Sequence, residues 1–131
     1  MSLAIRAFAV WLLIAAAEVV HGILRMQFLR PLLGDLRARQ AAIVTGSLII
    51  LAIAFLTRRF LRATTTGQQI AVGVFWATLM VAFDVLLGRY YIGYSWSRIA
   101  QDFDPSRGGF MLAGLAVMVL APWIAAPRGR A

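Results

Sequence analysis

The chain does not alternate apolar and polar positions as a half-buried strand does. It carries four nearly continuous apolar runs: residues 7–24, broken by Glu18 and His21; 41–56, without a charge; 70–87, broken by Asp84; and 110–126. A helix crossing a bilayer needs about 20 apolar residues, with a range of roughly 17–25. The runs are at the short end, so flanking residues must complete each span. The pattern predicts four transmembrane helices over about 4–24, 41–57, 69–88 and 109–126. Four spans leave little chain for a soluble domain, so residues 1–131 are expected to form one four-helix transmembrane unit. Arg6, the apolar stretch and Ala15-Ala16-Ala17 also have the form of a secretion signal. The stretch is read instead as the first membrane helix.

The three connections differ. Residues 58–69, with Arg, Thr and Gly, read as a plain loop. In residues 88–109, Ser95 can cap a short helix that places Trp96, Ile99, Ala100 and Phe103 on one face. In residues 25–40, Phe28, Leu29, Leu32, Leu33 and Leu36 give a similar apolar face, which Gly34 weakens. Both patterns suit short helices lying in the membrane interface. Ala42/Gly46, Gly73/Ala77 and Gly109/Ala113 pair small residues at spacing four, which permits close helix contact within one chain or in a homo-oligomer.

Composition supports this class. The chain is 62% hydrophobic and 14% charged, against roughly 25% charged in soluble domains. A small soluble sphere would have to expose this apolar material. All 13 cations are arginine, and the formal net charge is +8. In a soluble protein such a charge points to nucleic acid. Here the arginines flank apolar helices, where they meet lipid phosphates, so membrane lipid is the expected partner and nucleic acid is not. The absence of cysteine removes disulfides and thiolate chemistry together.

Arginine counts set the expected orientation. Arg6, Arg58, Arg59, Arg62, Arg128 and Arg130 fall on one side of a four-span chain. Arg25, Arg30, Arg37, Arg39, Arg89, Arg98 and Arg107 fall on the other. The compact cluster at residues 58–62 favours the inner membrane with both termini cytoplasmic. The near balance also fits insertion in both orientations.

The two halves echo each other. Glu18-Val-Val-His-Gly22 matches Asp84-Val-Leu-Leu-Gly88, and Arg39 and Arg107 each precede a glycine by seven residues. Two readings remain open: a parallel duplication of a two-helix unit, or chance sharing of common membrane residues.

Ionisable groups inside lipid are costly, about 2.5–3.5 kcal/mol at a helix centre on insertion scales. Glu18, His21 and Arg25 form one stripe at spacings of three and four. Asp84 and Arg89 sit at the corresponding end of the third helix, and Arg39 and Arg107 reach the same side. These seven residues are the candidate ligand or ion site, forming a polar vestibule at one end of the bundle. The alternative is ion pairing that fixes helix packing, Glu18 with Arg25 or Arg39 and Asp84 with Arg89 or Arg107. Tyr90, Tyr91, Tyr94 and Trp96 read as an interfacial aromatic belt.

Other chemistry finds less support. Glu18-x-x-His21 has the spacing of di-iron bundles, but those sites need further Glu and His that this chain lacks. No metal, cofactor or catalytic residue is expected. The favoured function is a transporter or channel for an ion or small anionic solute. A non-catalytic subunit of a larger membrane complex is one alternative. A lipid head-group binding protein or enzyme is another, with the balance against an enzyme.

Overall fold

In a computed structural model, the structure is described for residues 2–104, 106 and 111–126. Helices α1 (Leu3–Leu24), α2 (Arg30–Leu33), α3 (Asp35–Leu61), α4 (Thr66–Leu86), α5 (Trp96–Asp102) and α6 (Met111–Ala125) follow in order, and no strand occurs among the described residues. Two π-helical segments interrupt the sequence, Arg25–Leu29 after α1 and Leu87–Ile92 after α4. Each half therefore runs helix, π segment, short helix, helix.

Three continuous helical stretches are long and apolar enough to cross a membrane: Leu3–Leu33, Leu36–Leu61 and Thr66–Ile92. Less than a third of each apolar window is buried inside the bundle, and Leu32, Val44, Leu48 and Leu56 are among the large apolar residues left exposed. An isolated soluble helix bundle would bury such a face. Helix α6 is apolar but shorter, with 15 residues and Pro122 inside it.

Local chemistry sets the helix ends. The Ser2 side chain accepts from the Ile5 amide and starts α1. Thr65 accepts from the Gln68 amide, and the Gln68 side chain reaches back to the Thr65 amide, a reciprocal capping box that starts α4. The sequence Thr-x-x-Gln carried that signal inside a stretch read as plain loop. Arg62 ends α3 in the left-handed region, and its amide donates to the Arg58 carbonyl. Arg6 Nε donates to the Leu61 carbonyl at 2.9 Å, which binds the start of α1 to the end of α3.

The connections contain more helix than the apolar runs predict. The first is helical almost throughout: α1 passes through the π segment into α2, and the chain turns at Gly34, whose φ of 84° suits glycine. Helix α3 then starts at Asp35, several residues before its apolar run. Hydropathy shows where a helix is apolar. The backbone continues as long as each amide finds its carbonyl. Ser95 caps α5 by accepting from the Arg98 amide. The predicted apolar face of α5 divides: Ile99 turns inward, while Trp96 and Ala100 stay exposed.

The long helices form a ring in which α1 and α6 each pack on both α3 and α4. The core occupies one end of that ring, with Trp76, Ile14 and Met118 fully buried and Ala54, Ala121 and Ala125 among their neighbours. Trp76 Nε1 donates to the Ala7 carbonyl at 2.8 Å and joins α4 to α1. Small residues let backbones approach. The closest approach is at Gly73, where a Cβ would fall on the Val119 carbonyl of α6.

Candidate functional site

A cavity of about 610 Å³ opens where the packed core ends. Its floor includes Ile50, Met80 and Met118 from α3, α4 and α6. Phe83 and Leu115 continue the apolar wall, and Ile99 and Phe103 close over from the α5 region. Gly88, without a side chain, gives Tyr94 and Ile99 room: a Cβ there would meet the Tyr94 ring at 3.3 Å.

Chain direction sorts the polar groups by depth. On α1 the buried residues Ala7, Val10, Trp11, Ile14 and Ala15 come first, followed by Glu18, His21 and Arg25. On α4 the core residues Val72, Trp76 and Met80 precede Asp84. Helix α3 runs the opposite way, so Arg39 comes first, then Gly46, then the core residues Ile50, Ile53 and Ala54. Glu18 and Gly46 lie at one level: a methyl on Gly46 would stand 3.0 Å from Glu18 Oε2. Arg25 lies seven residues from Glu18, and Arg39 seven from Gly46, both toward the open end. At 1.5 Å per residue each offset is about 10 Å. The cavity thus has an apolar floor, a carboxylate level and an arginine rim.

Glu18 Oε1 is buried and has no hydrogen-bond partner. The expected pairing of this carboxylate with Arg25 or Arg39 therefore does not satisfy that oxygen. A buried acceptor left without a donor costs about 1–3 kcal/mol. His21 Nε2 lies 2.6 Å from Thr45 Oγ1, which ties α1 to α3 just above Glu18. Arg39 Nη2 donates to Gln101 Oε1 at 3.5 Å and joins the rim to α5.

Of the seven candidate site residues, Glu18, His21, Arg25, Arg39 and Asp84 line this one cavity. Arg89 does not: its Nη1 donates to the Tyr94 carbonyl at 3.3 Å, and its guanidinium lies 5.2 Å from the Trp96 ring centre. Arg107 falls outside the described residues. Among the aromatic candidates, Tyr90 and Trp96 are exposed and stand outside the cavity. Tyr91 and Tyr94 line it, and the Arg98 guanidinium covers the Tyr94 ring at 3.9 Å. Among the described residues no group of three His, Asp or Glu is placed to hold a metal ion.

Sequence reading missed the part played by Gly46. It stood out only as half of a small-residue pair, whereas here its missing side chain makes room for the Glu18 carboxylate. The apolar walls were also invisible as site residues, because nothing separates them in sequence from ordinary core. The site's chemistry rests on this geometry alone, since the chain matches no protein-family model, no curated protein and no solved structure.

Proposed function

We propose that the protein is a multi-span transporter of the inner membrane that takes a charged solute into the cavity between α1, α3, α4 and α6. The observation that carries this reading is the buried Oε1 of half-buried Glu18, in a cavity that Asp84 also lines, at the edge of an apolar core. Intramembrane carboxylates facing a cavity mark ion and substrate pathways. Transport is favoured over a continuous channel because Ile14, Trp76 and Met118 fill the opposite end of the bundle. A solute entering from the rim would cross only after the helices rearrange, by rocking of one half against the other.

The order of elements supports a parallel duplication. Each half repeats helix, π segment, short helix and helix, and the ring contacts pair α1 with α3 as they pair α4 with α6. In this reading α6 and the residues flanking it form the fourth span. The Arg58, Arg59 and Arg62 cluster favours a cytoplasmic loop between α3 and α4.

The test is flux in proteoliposomes of the purified protein, comparing native chain with Glu18→Gln and Asp84→Asn. Glu18-dependent flux is expected. Absence of flux from every variant, together with stoichiometric co-purification of a larger complex, would favour an accessory subunit instead.

A further inference from the structure

Glu18 stands at the foot of a polar ladder, and the ladder has a sign. The carboxylate level is the deepest charged level on α1, next to the core. Arg25 and Arg39 stand about 10 Å nearer the mouth along their helices. Arg39 is also engaged with Gln101. An anion drawn to the arginines would stop at the rim. A solute that reaches the floor meets Glu18, whose Oε1 lacks a donor.

We infer that the cavity binds an organic ammonium with an apolar body, its charged nitrogen donating to Glu18 and its body lying on Ile50, Met80, Phe83 and Met118. This inference rests on the transporter reading and departs from the anionic solute expected from the arginine count. The missing donor selects the head group, because an ammonium N–H supplies what Oε1 lacks and the charge strengthens the bond. The lining selects the body. Most of the cavity wall is apolar, and 610 Å³ lies within the usual range for sites that take small organic ligands. An inorganic cation would instead want a cage of several oxygens, such as the six to eight typical of calcium. Methionines such as Met80 and Met118 adapt to varied apolar shapes.

The experiment uses three probes that share one body: phenylpentylammonium, phenylpentanol and phenylpentanoate. Each is titrated into the full chain in phosphatidylcholine nanodiscs, with empty nanodiscs as the partition control. The ammonium is expected to bind saturably and tightest. Glu18→Gln should weaken it about ten- to a hundredfold while leaving the alcohol unchanged. Gly46→Ala keeps every charge but puts a methyl against the carboxylate, so it should weaken the ammonium in the same direction. Both variants are compared only as monodisperse protein with native helix content.

Tightest binding of phenylpentanoate, lost on Arg25→Gln, overturns the ammonium inference and leaves the transporter reading standing. Ammonium binding unaffected by both Glu18→Gln and Gly46→Ala overturns it as well. If no probe saturates while liposomes still show Glu18-dependent ion flux, the inference falls alone. With neither binding nor flux, both readings fall.

Discussion

Gly73→Ala tests the crossing of α4 and α6, which holds the core closed beneath the cavity. A Cβ at this position would fall on the Val119 carbonyl oxygen, 2.6 Å from its carbonyl carbon and 2.8 Å from its Cα. Carbon atoms prefer separations of about 3.5–4.0 Å, so the helices must part by about 1 Å. The obstacle is backbone, so no side chain can rotate out of the way. Overpacking of a tight core costs about 1–3 kcal/mol, and a rigid partner puts this site toward the upper end. Helix propensity acts in the opposite direction, by up to about 1 kcal/mol in favour of alanine. The net expectation is a loss of about 2 kcal/mol. For a chain of 131 residues that lowers Tm on the order of 5–10 °C. Thermal unfolding in detergent micelles, followed by tryptophan fluorescence, reads this directly, because Trp76 is fully buried one turn away. Gly22→Ala is the control: beyond its chain neighbours and its own helix backbone, nothing lies within 4 Å of a Cβ there, so its Tm should hold or rise. A Gly73→Ala protein as stable as the Gly22→Ala protein would falsify the close crossing.

Two further substitutions probe single contacts. Trp76→Phe removes the buried bond to the Ala7 carbonyl and leaves space where the indole was, so it should cost about 2–3 kcal/mol in the same unfolding assay. An unchanged Tm would mean that α1 and α4 are not joined through this bond. Thr65→Ala removes the side-chain cap of α4 at a cost of about 1 kcal/mol. Hydrogen exchange at the Gln68 amide should then quicken roughly fivefold if the first turn opens locally, and no change would place the start of α4 under tertiary control.

The sequence shows why some features were legible and others were not. Apolar run length is a local property, so residues 70–87 announced a helix, which is observed as Thr66–Leu86. Capping is local too, and Ser95 marked the start of α5 before any packing was known. The extension of α3 back to Asp35 was not legible, because arginine and glutamine continue a helix without adding hydropathy. The division of α5 was hidden for a different reason. Its pattern placed Ile99 and Trp96 on one face, but the cavity and Gly88 turn Ile99 inward while Trp96 remains outside.

The same division runs through the site. Glu18 and Asp84 stood out in the sequence because an acid in an apolar run is costly wherever it points. Their stations in the chain also put them at one end of any antiparallel bundle. The residues that matter as neighbours were decided by the fold. Helix packing set Gly46 against the Glu18 carboxylate, carried Arg89 away to Tyr94 and Trp96, and left Arg25 and Arg39 at the rim. Hydropathy and charge are read one residue at a time, so the sequence by itself determined the apolar helices and the cost of their acids. Depth and partnership depend on which helix faces meet. Only the tertiary structure decided that Glu18 keeps a buried oxygen still lacking a donor.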